Sequence, residues 1–600
     1  MTPVISTRPR PTPIQRRQRG LTVIALVGLA FALGFLAGRL SPDAPLAPVA
    51  APPAAPPAAA TTAAAAVPPS APPLVAAHYF GRQWPKNFIA GFRRADVAED
   101  FAALRAEGFN TVVLLVAWGD FQPGYAPCCT WDERAFERLR FLLDRAQDAG
   151  LGVVVRLGYG WYFHPGGGDP LHRVHRLMNE APVRQAFFAF SKRIAAVAAA
   201  HPATRLTLLS WEDLWLRRIE PGARGDYREF LASLADDDPL RSELPADGSL
   251  PTAEGAHAAV FHRYWDWLLT DRLFPGVRQH IQALTLEARI DRDPLPVTAA
   301  DGSRSYRWIG HEASYSPHGA AAMSLYWAPF WGAENRGETL SAARAAELFT
   351  TLLAEASAGS GGSPLFVDQF NVIDNTLGHA HNASLAAQAL PDFMTRAGCA
   401  LHRAKALGYG YWSVYDYAES PLYNPTFGYG LDGWQLDTGD RTPASTRLHT
   451  LDSGDQQLRL VSGDRLSQTI PATRGRLPQQ DSGFDNQVCL HAVTDTGAVI
   501  HLSAGGEAVT LHLPAGHRGE ACTAIAPTPD AHGLELTLSL DQGRATFNAI
   551  ALFDHVQTGG VHDRHGQALP LREPLLALNR RFAAGDFAAC QGPGSAVLPQ

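Results

Sequence analysis

Eight short runs of apolar and β-branched residues recur through the middle of this chain, at 88–92, 111–118, 152–157, 205–211, 281–287, 321–327, 365–370 and 409–415. Runs that lack polar alternation are those of strands buried on both faces, which is the condition of a parallel sheet. Parallel neighbours need a crossover, and amphipathic stretches of helical period at 95–107, 132–149, 183–200, 256–270, 340–356 and 385–407 supply it. The pattern is weakest after the fifth strand. Eight such units over about 350 residues predict an α/β fold, a closed (β/α)₈ TIM barrel across 78–440. An open doubly wound sheet ordinarily has fewer strands and a recognisable phosphate turn.

Beyond about Thr442 the pattern becomes short and alternating, at 457–461, 487–492, 498–502, 508–513, 534–540 and 545–553, punctuated by Gly, Asp and Pro. This predicts a C-terminal antiparallel β-sandwich over 441–600. The last tyrosine is Tyr429 and the last tryptophan Trp434, so the module has no such ring for stacking on a sugar. An accessory structural role is expected for it.

The first 20 residues are basic, with Arg8, Arg10, Arg16, Arg17 and Arg19, and the run 21–38 is apolar and uncharged. That run is long enough to cross a bilayer as one transmembrane helix, and the arginines before it keep the N-terminus in the cytoplasm. A cleaved signal peptide is the alternative, but the run is longer than a usual signal core. Residues 39–77 follow as an Ala/Pro-rich linker with almost nothing to bury. The expected place is the inner membrane of a bacterium, single-pass, with the folded part on the periplasmic or extracellular side.

A net charge of -7 with no long basic run argues against nucleic acid as a partner. Six cysteines in an exported chain are compatible with disulfides, and Cys489 and Cys522, close in sequence in the distal module, are the expected pair. Adjacent Cys128 and Cys129 are not expected to bond each other; free thiols or distant partners stay open. His172 with His175 and His379 with His381 are the close histidine pairs, and such pairs are more often loop hydrogen-bonders than ligands. Neither a metal nor a cofactor is expected.

In a barrel of this kind the site lies at the C-terminal ends of the strands. Glu212 stands directly after the fourth apolar run, among Trp211 and Trp215, where burial would raise a carboxyl pKa as a general acid needs. Asp368 stands at the end of the seventh, within Leu365-Phe-Val-Asp-Gln-Phe-Asn371. Two carboxyls flanking a bond are what glycoside cleavage requires, one to protonate the leaving oxygen and one to attack or to activate water. Glu287 and Glu312, the latter beside His311, are reserve carboxylates, while Asp213 and Asp416 are expected as hydrogen-bond partners.

On these residues the chain resembles the large clan of (β/α)₈ retaining glycosidases that includes β-galactosidases, β-glucanases and β-xylosidases. The clan's acid/base is a glutamate ending the fourth strand, which the resemblance carries to Glu212, although Trp211 stands where the clan usually has Asn. Its nucleophile is a glutamate ending the seventh, and here Asp368 or Gln369 falls at that position. The resemblance implies either that Asp368 acts from a shorter side chain or that the mechanism is altered.

Trp118, Trp161, Trp211, Trp327, Trp331 and Trp412 fall at or beyond expected strand ends, where flat rings can bind sugars. Tyr326, Arg156, Glu287, Gln369, Asn371 and Asn375 complete the expected binding set. The reading is a glycosidase cleaving an envelope or exported polysaccharide or oligosaccharide, endo-acting and retaining, and working near polysaccharide synthesis or export machinery. A transglycosylase on the same residues is an alternative, as is a non-catalytic polysaccharide-binding or assembly protein, the latter suggested by Gln369.

Overall fold

The computed structural model describes residues 72–81, 88–125, 128–158, 170–210, 224–253, 255–288, 293–298, 304–314, 317–329, 338–372, 383–471, 486–553, 555–557 and 559–591. The expected membrane run 21–38 and most of the linker lie outside them. Among the described residues no helix is long and apolar enough to cross a membrane.

Eight parallel strands close into a barrel: β1 (Leu74–His78), β2 (Thr111–Ala117), β3 (Gly152–Gly158), β4 (Thr204–Leu209), β5 (Leu284–Glu287), β6 (Met323–Trp327), β7 (Leu365–Phe370) and β8 (Gly408–Tyr411). Each pairs with its sequence neighbours, and β1 closes the ring on β8 with Leu74 opposite Gly408. The first strand is not where the sequence pattern put it. Residues 88–92 form a short buried helix (Phe88–Gly91), and the strand is the alanine-rich segment expected to end the linker.

Six outer helices stand where the helical periods lie: α1 (Arg94–Ala106), α2 (Glu133–Asp148), α3 (Ala181–Ile194), α4 (Ala258–Trp267), α5 (Ala342–Gly359) and α6 (Leu390–Arg403). Their apolar stripes cover the strands, with Phe136, Leu139, Leu142 and Leu143 of α2 all buried. Capping fixes two of the starts, Asp132 accepting from the Arg134 amide and Ser341 from that of Arg344. After β5 a helix is replaced by a hairpin, Asp293–Thr298 with Arg304–Ile309, and a short turn, Glu312–Ser314.

The eighth barrel helix comes from the far end of the chain. α7 (Arg572–Ala584) packs beside α6 and β1, and Leu575, Leu578 and Phe582 join the core around the barrel. Tyr409 of β8 donates to Asn579 at 2.5 Å, and Asn579 in turn donates to the carbonyl of Glu107 at 3.1 Å. Cys399 of α6 is bonded to Cys590. The expected C-terminal module is therefore an insertion into the last βα unit, and 559–591 belong to the barrel.

The inserted part is antiparallel and built on one long strand, Gly533–Phe553. Its first half pairs with Arg465–Pro471 and Ala498–Ala504, and its second half with Gln456–Val461 and Gln487–Val493. It passes from one group of strands to the other at Gly543, whose φ of +85° and close approach to Gly497 exclude a side chain. Cys489 and Cys522 are bonded, as expected, but Cys128 and Cys129 are bonded to each other, against expectation. Asp455 of the insertion accepts from the amides of Arg94 and Ala95, capping α1. Barrel helices start beside the C-terminal ends of strands, so this contact sets the insertion next to the mouth.

Candidate active site

Period-two alternation decides which side chains enter the barrel. Val75, Ala77, Val153, Val155, Leu157, Leu284, Leu286, Met323, Leu325, Trp327, Leu365 and Val367 join the core between strands and helices. Leu74, Ala76, Val154 and Phe366 pack together inside. The same alternation sends His78, Arg156, Glu287 and Tyr326 inward at the mouth end of their strands. In β7 the outward residues Val367 and Phe370 are three apart, and the register shifts between them. Such a bulge re-aims side chains, here placing both Asp368 and Gln369 on the inside.

These residues meet in one buried cluster. Arg156 donates to Glu287 Oε2 at 3.0 Å through one terminal nitrogen and to Asp368 Oδ2 through the other. Gln369 Nε2 donates to the second oxygen of Glu287 at 3.3 Å. Burial of a charge is costly unless it is paired, and here one guanidinium serves two acids. Asp368 is fully enclosed, whereas Glu287, the last residue of β5, keeps 8% of its surface.

His78 extends the cluster. Its Nε2 lies 2.6 Å from the carbonyl oxygen of Asp368, an atom that can only accept, so that nitrogen carries the hydrogen. Burial first, and the charge of Arg156 second, hold its pKa well below the ordinary histidine value, so the ring is neutral. Gly410 makes room for this contact, since a Cβ there would stand 2.6 Å from the same carbonyl oxygen and 3.5 Å from the ring. Trp412, partly exposed just past β8, packs against His78 with ring centroids 4.9 Å apart and against Phe80 at 5.2 Å. His78 was absent from the expected set. A lone histidine ending an alanine-rich segment carries no chemical pattern.

The expected residues divide into three groups. Asp368, Gln369, Glu287 and Arg156 come together, with Tyr326 and Trp412 partly exposed near them. Arg156, expected to bind substrate, is instead 1% exposed and engaged with the chain's own acids. Trp118 and Trp327 do not offer an open ring. Trp118 is enclosed under the guanidinium of Arg173, 4.0 Å away, and Trp327 faces outward against Phe349 and Phe393 of α5 and α6. Asn371 follows β7, its amide nitrogen donating to the carbonyl of Trp327 and its side-chain oxygen accepting from Val372. Glu212, Asp213, Trp161, Trp211, Trp331, Asn375, His379 and His381 lie outside the described residues, while His172 and His175 fall on one helix, Pro170–Asn179.

The reserve acid Glu312 is exposed in its turn, and Asp416, expected as a hydrogen-bond partner, accepts from the amides of Gly559 and Gly560. His311 is buried against Asp266, 3.1 Å away. Among the described residues, one group has metal-ligand spacing, Cys489, Glu520 and Cys522, and its two thiols are spent in a disulfide.

No family model matches this chain, and no curated protein matches it. Solved structures do. An exo-β-1,4-mannosidase from Opitutaceae bacterium strain TAV5 is 18% identical, covering 58% of this chain and 53% of its own, with a TM-score of 0.37. A GH5_18 protein from Streptomyces cattleya, in complex with GlcNAc, is 17% identical over 58% of this chain and 71% of its own, with a TM-score of 0.38. The clostridial cellulose synthase subunit Z from Clostridioides difficile is 10% identical over 56% and 91%, with a TM-score of 0.34. This chain spans about half the length of the Opitutaceae protein.

Proposed function

We propose that this chain is a glycoside hydrolase that cleaves an envelope or exported polysaccharide by two-carboxylate chemistry, with retention and from within the polymer. The observation that carries the reading is the cluster of Glu287, Arg156 and Asp368 inside the mouth of a closed parallel barrel, the place where such barrels keep their chemistry. Two acids held apart from water by one arginine, with partly exposed Trp412 and Tyr326 nearby for a sugar face, suit this reaction better than any other. In this reading Glu212, three residues beyond the end of β4, is the proton donor, and Asp368 or Glu287 supplies the second carboxylate. Gln369 donates to Glu287 rather than standing idle, which favours an enzyme over a binding protein derived from one.

A helix at 21–38 in the inner membrane, the Ala/Pro-rich linker, and a barrel on the periplasmic or extracellular side near polysaccharide synthesis or export machinery complete the proposal. A sugar acceptor in place of water would make the same site a transglycosylase. The test is release of new reducing ends by the detergent-solubilised full chain from a panel of β-mannans, β-glucans, xylans and bacterial exopolysaccharides. Cleavage of at least one polymer is expected, with Glu212→Gln slowing it by a factor of 100 or more, in line with loss of a general acid. Unchanged release by that variant, or no cleavage of any polymer by the wild type, would remove the proposal.

A further inference from the structure

We infer that the Cys489–Cys522 bond of the inserted module is a thiol-exchange site, at which an external thiolate attacks Cys522 and Arg564 stabilises the thiolate that leaves. It stands apart from the barrel mouth and from the glycosidase reading. Three observations carry it.

The first is that the fold does not depend on this bond. Gln487–Val493 and Arg518–Ala524 pair in antiparallel register along their whole length, with Cys489 directly opposite Cys522. The ladder therefore keeps the two strands together when the sulfurs part. Cys399–Cys590 is of the other kind, since it closes a loop of 191 residues and fastens α7.

The second is access. Among the described residues, Arg518–Ala524 pairs with a neighbouring strand on one side only, and Cys522 on it is exposed. Cys489 lies on the inner strand, 2% exposed and packed against Ala551 and Phe553. A nucleophile approaches a disulfide along the line of its two sulfurs, so attack falls on Cys522 and Cys489 is the leaving group.

The third is charge. Arg564, on the segment that returns to the barrel, donates to Glu520 Oε2 at 2.8 Å and holds the same nitrogen 3.9 Å from Cys522 Sγ and 4.0 Å from Cys489 Sγ. Its guanidinium lies over the Phe553 ring, 4.9 Å from the centroid. A fixed cation beside both sulfurs favours the thiolate form of each, and a stabilised thiolate leaves faster. The same cation decides between two uses of the cluster. Cys489, Cys522 and Glu520 have the spacing of metal ligands, but Arg564 sets a positive charge against all three, which repels a divalent ion.

The reductant is a thiol, either a small one or a dithiol carried on a protein. Its thiolate forms a bond to Cys522 Sγ as the bond between the two cysteines breaks, and Cys489 departs as a thiolate that takes up a proton. A second thiol of the reductant then attacks the reductant's own sulfur, and Cys522 leaves and is protonated in turn. Both electrons come from the reductant, which ends as a disulfide.

The experiment treats the full chain in detergent at neutral pH with dithiothreitol, glutathione or thioredoxin, followed by acid quenching, alkylation and peptide mass mapping. Reduction of Cys489–Cys522 is expected to run about tenfold or more ahead of Cys399–Cys590, with the cooperative unfolding transition retained. Arg581 lies 3.9 Å from Cys399 Sγ and 3.6 Å from the partly exposed Cys590 Sγ, so both bonds have a guanidinium beside them and the comparison tests access. Glutathione is expected to be trapped on Cys522 and not on Cys489. Arg564→Gln is expected to slow exchange at Cys489–Cys522 about threefold or more and to leave the rate at Cys399–Cys590 unchanged. Faster exchange with thioredoxin identifies a protein dithiol and faster exchange with glutathione a small thiol, and either supports the site. Equal rates at the two disulfides, glutathione on Cys489, loss of the unfolding transition on reduction, or an Arg564→Gln variant that exchanges as fast as wild type overturns the inference.

Discussion

Tyr409, on the last strand of the barrel, donates a hydrogen bond of 2.5 Å to Asn579, which lies 170 residues further along the chain. Both residues are completely buried. The contact joins the two halves of the eighth βα unit across the whole inserted module, so the barrel is complete only when the C-terminal segment has returned to it. Asn579→Leu strands the buried Tyr409 hydroxyl and the Glu107 carbonyl together, each worth about 1–3 kcal/mol when left unsatisfied. The expected loss is about 2–4 kcal/mol by urea unfolding. A chain cut after residue 440, the boundary that the sequence pattern suggests, is expected to be insoluble or molten. A cooperative unfolding transition in that truncated protein would show that α7 is dispensable.

The Cys399–Cys590 bond fastens the same segment covalently, closing a loop of 191 residues. Loop-closure entropy sets an upper figure of about 5 kcal/mol for a loop this long, and measured values usually fall below it. Replacing both cysteines by serine is expected to lower the unfolding free energy by about 2–5 kcal/mol. A midpoint in guanidinium within experimental error of wild type would mean that packing of α7 alone holds the end of the chain.

How far the sequence foretold this molecule depended on what each feature needed in order to be seen. Strands such as Thr111–Ala117 and Leu365–Phe370 are legible because burial on both faces demands an unbroken apolar run. Leu74–His78 is not, because its alanines continue the composition of the linker, and Phe88–Gly91 deceives because aromatic residues favour strands as readily as a short buried helix. Tyr326 and Trp327 are neighbours on one strand, so only one of them can face the mouth. The alternation with Met323 and Leu325 already assigns Trp327 to the helices. By contrast, the bulge that brings Asp368 and Gln369 inside together has no local signature, and neither does the return of α7.

The buried histidine pair His262 and His311, with ring centroids 5.7 Å apart, offers a pH prediction. Burial first, then the neighbouring His311, lowers the pKa of His262 from 6.5 to about 4. The native ring therefore stays neutral where the unfolded one takes up a proton. The stability it contributes is present above about pH 6.5 and is lost as pH falls toward about 4, at up to about 1.4 kcal/mol per pH unit. Asp266, raised by burial against the pull of His311, acts in the opposite sense at the acid end and is common to wild type and variant. His262→Gln keeps a donor for the Ala253 carbonyl, which the ring meets at 3.2 Å, and removes the titration. Urea unfolding at pH 7 and pH 5 is expected to show wild type losing about 1–2 kcal/mol more than the variant. Parallel losses would mean that His262 does not titrate in this range.

Gly410 is the most sensitive backbone position of the proposed site. It lies on β8 opposite β7, and an alanine Cβ there would meet the carbonyl oxygen of Asp368 at 2.6 Å. That atom is backbone and already accepts from His78, so it has no easy way to retreat. Relief comes by pushing β7 outward, which shifts Asp368, and through Arg156 it shifts Glu287. Overpacking of this kind costs about 1–3 kcal/mol in stability. The larger expected effect is on turnover, because misplacement of a reacting group by about 1 Å can cost a hundredfold. Gly410→Ala is therefore expected to fold, with kcat/KM down roughly tenfold to a hundredfold on whichever polymer the wild type cleaves. Gly225→Ala is the control, since no atom lies within 4 Å of its added carbon, and it should leave activity unchanged. If the two variants behave alike, the contact between β7 and β8 does not position the acids, and the cluster around Arg156 is not the reacting centre.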